Sequence, residues 1–191
     1  MDLGHVFRRM VHLCTPVFLV YYWLPDPLWI GGPGRQISVL ALLLIVLNFE
    51  LWRLRKKPQI IGTRPYEMNR LSAAAWAALA FTIAFLFFPL QYSAPALIGM
   101  GWVDPLIGEL RARKSKLYPA VPLLVYFAIA FVTLGVLTSQ WLVALIASLP
   151  ATRLAITVEN TKTRYLDDDF VMAIVPLLAI FAVYTIASLF S

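Results

Sequence analysis

The sequence is poor in charge, sulfur and histidine. Lys, Arg, Asp and Glu together make up 14% of its 191 residues, whereas soluble domains carry about a quarter, so an ordinary water-facing surface is excluded. A single cysteine, Cys14, excludes a disulfide framework and a thiolate metal centre, and its apolar surroundings predict a packed thiol. Two histidines give a zinc site little support. No GxxxxGK[ST] loop and no kinase signature is present, which removes the familiar ATP folds. No removable signal sequence is expected, because the first apolar stretch is long and its exit at 25–33 lacks a small-residue cleavage pattern.

What is present is apolar. Hydrophobic residues make up 61% of the chain, and a span needs about 20 residues. The expected fold is therefore all-α: a polytopic integral membrane helical bundle of about seven transmembrane helices, forming one transmembrane catalytic domain over residues 1–191. After the basic lead-in MDLGHVFRRM, the pattern predicts spans over 9–23, 36–51, 71–88, 94–110, 118–137, 140–158 and from the DDDF run to Leu189. The Pro- and Gly-rich stretch 24–34 reads as a turn. Three glycines and Pro105 predict an interrupted fourth helix, a feature tolerated where protein or water satisfies the freed backbone groups.

The formal net charge is +6, but the cations stand in short blocks between apolar runs, so they indicate topology and anionic or phosphorylated partners, not nucleic acid. Seven spans starting in the cytoplasm put all of the 16 Lys and Arg except Arg35 on one side. That bias assigns the amino terminus to the cytoplasm. The same layout collects His12, Asn48, Glu50, Asp104, Glu109, Glu159, Asn160 and Asp167 to Asp169 at or near the cytoplasmic ends of spans. Charges in apolar surroundings are costly and mark function, so the expected site faces the cytoplasm.

The stretch GMGWVDPLIGELRARKSKL (99–117) concentrates the chemistry. Asp104 and Glu109 lie among Gly99, Gly101 and Gly108, and Arg111, Arg113, Lys114 and Lys116 follow. Gly101 and Gly108 permit close approach of a helix or a phosphate. Mg²⁺ takes carboxylate and phosphate oxygens and needs few protein ligands, so Asp104 is a candidate ligand, with Glu109, Glu159 and Asp168 as further candidates. The bland alternative pairs Asp104 with Arg111 or Arg113. Of the three aspartates at 167–169, one serves as a helix cap, and Asp168 or Asp169 is left to assist a metal or act as a base. Arg111, Lys114 and Lys116 are either topology signals or phosphate ligands. His12 shares a helical face with Arg8 and Arg9, where it can donate a buried hydrogen bond, hold a phosphate or simply pack.

As a set, these motifs resemble the membrane-embedded CTP-dependent lipid kinases, comprising dolichol or polyprenol kinase, phytol kinase and CTP-dependent diacylglycerol kinase. Arg8, Arg9 and His12 resemble the family's basic pair followed by histidine, and GWVDPLIGE (101–109) resembles its glycine–aspartate segment, with Trp102 and Val103 intervening. Lys114-Ser115-Lys116 is similar to its lysine–serine element, VEN (158–160) to its Val-Glu pair, and DDDFVMAIVP (167–176) to the start of its last span. The resemblance implies transfer of the γ-phosphate of CTP to the hydroxyl of a long-chain isoprenoid or related lipid alcohol, with Mg²⁺ as cofactor. It implies catalytic roles for His12, Asp104, Asp168 and Asp169, and nucleotide contacts from Arg8, Arg9, Gly101, Gly108, Arg111, Lys114 and Lys116. The partners expected are the lipid alcohol and CTP, and a homo-oligomer is left open. The rival readings are a cytidylyltransferase making a CDP-lipid, a transporter or flippase, and a membrane structural subunit.

Overall fold

The structure, a computed structural model, describes residues 3–58, 60, 65–160 and 166–190. The described residues are helical without a sheet: α1 (Leu3–Leu13), a 3-10 segment (Thr15–Trp23), α2 (Arg35–Lys56), a short 3-10 turn (Pro65–Asn69), α3 (Ala73–Phe87), α4 (Leu90–Ala112), α5 (Ala120–Thr138), α6 (Trp141–Asn160) and α7 (Asp168–Ser188). Four of these, α2, α5, α6 and α7, are long and apolar enough to cross a membrane, and α3 is a shorter apolar helix. The architecture is thus a polytopic helical membrane bundle. At about 1.5 Å per residue, the 15 residues of α3 fall short of a bilayer core about 30 Å thick.

The first expected span, 9–23, is two pieces. Helix α1 begins within the lead-in, at Leu3, and ends at Leu13. Pro16 follows, and a proline has no N–H to continue the ladder and clashes with the carbonyl four residues back, here that of His12. The chain goes on as a 3-10 segment. Cys14, at the joint, is exposed on the outside of the bundle and not packed. Helix α2 runs to Lys56, beyond the expected end, because Arg53, Arg55 and Lys56 are good helix formers that favour the carbonyl end of the helix.

Helix α4 is not interrupted. It runs 23 residues straight through Pro95 and Pro105, packed against α1, the 3-10 segment, α3, α5 and α7, and those neighbours hold its register. Its glycines serve approach: a Cβ on Gly99 would meet the Tyr126 ring at 2.5 Å, and one on Gly101 would meet Thr15 Cβ at 2.5 Å.

The core lies between α4 and α7. Leu97, Met100, Val103 and Ile107 form a helical stripe on α4, facing Tyr126, Ala130 and Leu134 of α5 and Met172, Leu177 and Ile180 of α7. Ala144, Ala147, Ala151 and Ala155 make a small-residue face on α6. Lipid tails are as apolar as leucine, so close van der Waals contact drives such packing, and small residues permit it. Helix α2 lies at the edge against α3, with Leu40, Leu42, Leu44 and Ile45 exposed. Arg35 is tied down at its start: Nη1 donates to the Tyr22 carbonyl at 3.2 Å, and Nε lies 3.6 Å from Asp26 Oδ2.

Candidate functional site

Three elements from distant parts of the chain converge on one small cluster. Helix α1 brings His12, α4 brings Asp104 and the first turn of α7 brings Asp169. His12 Nε2 lies 3.8 Å from Asp104 Oδ2 and 3.9 Å from Asp169 Oδ2, and one ligating atom from each of the three lies within 4.8 Å of the others. The side chains are shielded, at 12% exposure for His12, 20% for Asp104 and 7% for Asp169. Two shielded carboxylates this close repel unless a cation stands between them. A protonated imidazole or a metal ion meets that need. The oxygens of two aspartates suit a hard divalent ion, and an added imidazole nitrogen widens the choice towards transition metals.

The aspartate run divides its labour. Asp167 caps α7, its Oδ1 accepting from the Asp169 N–H at 3.3 Å. Asp169 turns into the cluster, and Asp168 is half-buried beside it. The charges of Asp104 and Asp168 both reach Glu159.

Around this cluster the acidic residues are held by arginines. Glu159, at the end of α6, is clasped by Arg111 of α4. Nη1 donates to Oε1 at 2.7 Å, and Nη2 donates to Oε2. Arg111 also donates to the Tyr118 hydroxyl at 2.8 Å and lies 4.9 Å above that ring. Glu109 accepts from Arg9 on one oxygen and from Arg113 on the other, which ties α1 to α4. Arg8 is half-buried and has no carboxylate partner among the described residues. Lys114 and Lys116 are exposed beyond the end of α4. Gly101 is buried against α1, whereas Gly108 faces open space. Asn48 donates to the Leu44 carbonyl of its own helix at 2.8 Å. The connector 161–165, with Lys162 and Arg164, and also Arg64 and the side chains of His5 and Asn160, lie outside the described residues.

Two features at this end of the bundle escape a reading by motif. Trp102 donates its indole N–H to the Leu13 carbonyl at 3.2 Å, fastening the end of α1 beside His12. The second is a buried pair, Glu50 and Arg53, each 2% exposed. Arg53 donates Nε and Nη2 to Glu50 at 2.9 and 2.6 Å, and also reaches the Glu67 and Arg70 carbonyls at 2.8 and 2.7 Å. Glu50 accepts in addition from the Ser72 backbone N–H. The pair therefore pins the turn at Pro65–Asn69 and the start of α3 to α2. Its sequence signal is the i, i+3 spacing of opposite charges at the end of an apolar run.

Comparison of the chain with protein-family models, with curated proteins and with solved structures finds no match.

Proposed function

We propose that this protein is a CTP-dependent lipid-alcohol kinase, transferring the γ-phosphate of CTP to the hydroxyl of a long-chain isoprenoid or related alcohol at the cytoplasmic face of the membrane. The observation that carries the reading is the convergence of His12, Asp104 and Asp169 within a helical membrane bundle. The same three residues belong to the motifs that resemble that kinase family. In this reading α1 with its 3-10 segment, the short α3 and α4 also cross the bilayer, giving seven passes with the amino terminus in the cytoplasm.

Asp104 and Asp169 are the carboxylates suited to hold Mg²⁺, whose charge would offset that of the β- and γ-phosphate oxygens. Arg8 and the exposed Lys114 and Lys116 supply further positive charge to the nucleotide. Arg111 and Arg9 act one step back, fixing Glu159 and Glu109 and with them α6 and α1. The acceptor oxygen attacks the γ-phosphorus, the bond from that phosphorus to the β-bridging oxygen breaks, and CDP leaves. The hydroxyl proton passes to the Asp168 or Asp169 carboxylate, late in a loose transition state.

The test is an assay of the purified protein with Mg²⁺, CTP labelled at the γ-phosphate and separate polyprenol, phytol and diacylglycerol acceptors. Labelled lipid with release of CDP is the expected result. Pyrophosphate released from a lipid phosphate would replace this reading with cytidylyl transfer, and silence in both assays would turn attention to transport.

A further inference from the structure

Beside the acidic cluster lies a cavity of about 490 Å³ between α1, α2 and α3, within the size range of small-molecule sites. Its charged lining comes from one end of the bundle, where α2 finishes and α3 and α7 begin: Glu50 and Arg53 of α2, Glu67 of the turn before α3, Asp169 of α7 and Arg8 of α1. From there it follows α3 past Ala78 to Phe81, about 12 Å beyond Ala73 along the helix axis. Phe18 and Phe49 form other walls and are 50% and 51% exposed, so the cavity is a slot open sideways to the surroundings of the bundle.

The charges in the slot do not balance. Among its described lining residues, three carboxylates stand against two guanidiniums. Glu50 and Arg53 hold each other at 2.9 and 2.6 Å, and Arg53 also donates to two backbone carbonyls. The charges left are Glu67 and Asp169, 2% and 5% exposed, against Arg8, which is half-buried and whose long stem can carry its guanidinium outward to the headgroup region. Asp104 stands beside Asp169 in the cluster and enlarges the excess. The hydroxyl groups in the lining leave its sign unchanged: Ser72 Oγ accepts from the Ala75 N–H at 3.3 Å, and Thr15 lies against Gly101.

We infer that the slot binds a single-chain alkylammonium amphiphile, with its chain along α3 and its ammonium at Asp169. Buried carboxylates that outnumber the cations around them favour a ligand that brings positive charge, and an ammonium also brings three donors and no acceptor. A chain continuing from that head meets alanine and phenylalanine on α3 and the Val46 and Phe49 side chains of α2.

The ammonium takes the ground that a divalent ion would hold between Asp104 and Asp169. With such an ion in place the excess of negative charge is gone, so the amphiphile and the metal weaken each other's binding by the same factor. An alkylammonium is therefore an inhibitor of phosphate transfer, competitive with the metal. That consequence rests on the kinase reading, whereas the binding itself does not.

The experiment uses the full chain in phosphatidylcholine nanodiscs at neutral pH with EDTA, where a primary amine is protonated as lysine is. Two probes are compared, dodecylamine and dodecanol, each carrying a diazirine in mid-chain. After irradiation the labels are located and quantified by mass spectrometry, and transfer from γ-labelled CTP is measured separately on the same preparation with Mg²⁺. The amine should label the α3 peptide holding Ala78 and Phe81 and the α2 peptide holding Val46 and Phe49 at least about tenfold more than the alcohol does, as expected for a shielded charge pair. Asp169→Asn should bring the amine down to the level of the alcohol, and millimolar Mg²⁺ should do the same to the unmodified chain. Glu67→Gln, which removes the other buried charge, should also lower labelling by the amine and carries the test should Asp169→Asn fail to fold.

Equal labelling by amine and alcohol would overturn the assigned class, and labels elsewhere in the bundle would overturn the slot. A preference for the amine that survives both substitutions would overturn the role of the buried carboxylates, and labelling unmoved by Mg²⁺ would overturn the exclusion of the metal. Labelling as expected without transfer to any alcohol would uphold the site and overturn the kinase reading, and transfer without labelling would do the reverse.

Discussion

A Cβ built on Gly101 would lie 2.7 Å from the carbonyl oxygen of His12, so α4 meets α1 backbone to backbone immediately beside the side chains of His12 and Asp104. The distance between those two functional groups is set by the missing side chain. Gly101→Ala must push α1 away from α4, since the obstacle is a main-chain atom and not a flexible tip. The expected outcome is a fall in turnover of at least about tenfold with a lowered melting temperature in detergent. Gly108→Ala, where nothing lies within 4 Å of the added methyl, should leave both unchanged. Equal effects of the two substitutions would show that this contact does not position the site.

Asp104→Asn keeps the shape of the side chain and removes its charge. Asp104 stands close to His12 and near Asp169 in shielded surroundings, so removing one of two repelling carboxylates should leave the fold intact. Turnover should drop at least about a hundredfold, consistent with loss of a group that stabilises developing charge. The check is γ-phosphate transfer by the purified variant alongside its melting curve. Retained turnover would remove Asp104 from the chemistry.

How far the residues disclose this arrangement depends on the question. A carboxylate in an apolar, glycine-rich run is enough to mark Asp104, and the spacing of Arg9 and His12 places both on one face of α1. The division among Asp167, Asp168 and Asp169 is different. Each step along a helix turns a side chain by about 100°, so which aspartate caps and which enters the cluster depends on where α7 starts. That start is fixed by packing against α6 and α4. The break at Pro16 escapes hydropathy because Thr15–Trp23 is as apolar as a span, and only the lost N–H distinguishes it. The continuity of α4 escapes for the converse reason: Pro105 and three glycines read as a breach, while five neighbouring elements hold the helix together.

Glu50 and Arg53 give a prediction about folding and not about chemistry. Both are almost fully buried, and Arg53 satisfies two carbonyls of the segment that leads into α3. Arg53→Ala leaves a buried carboxylate and two unpaired carbonyls, a loss of about 3–5 kcal/mol. Glu50→Gln keeps the shape and an acceptor for the Ser72 N–H and should cost less. Thermal unfolding in detergent ranks the two. A melting temperature for Arg53→Ala equal to that of the unmodified chain would refute the latch.

Arg111 is the test of geometry against charge. It grips Glu159 with two nitrogens, donates to the Tyr118 hydroxyl and lies over the Tyr118 ring, so a single guanidinium joins the ends of α4 and α6 to the chain entering α5. Lysine retains the charge but has neither the planar fork nor the stacking surface. Arg111→Lys should therefore destabilise the fold almost as much as Arg111→Gln. A double-mutant cycle with Glu159→Gln should return a coupling of at least about 1 kcal/mol, read from unfolding in detergent. If Arg111→Lys instead behaves like the unmodified chain, charge alone holds Glu159. The residue would then be a topology signal whose fork and ring contact add nothing, and the same substitution would leave phosphate transfer untouched.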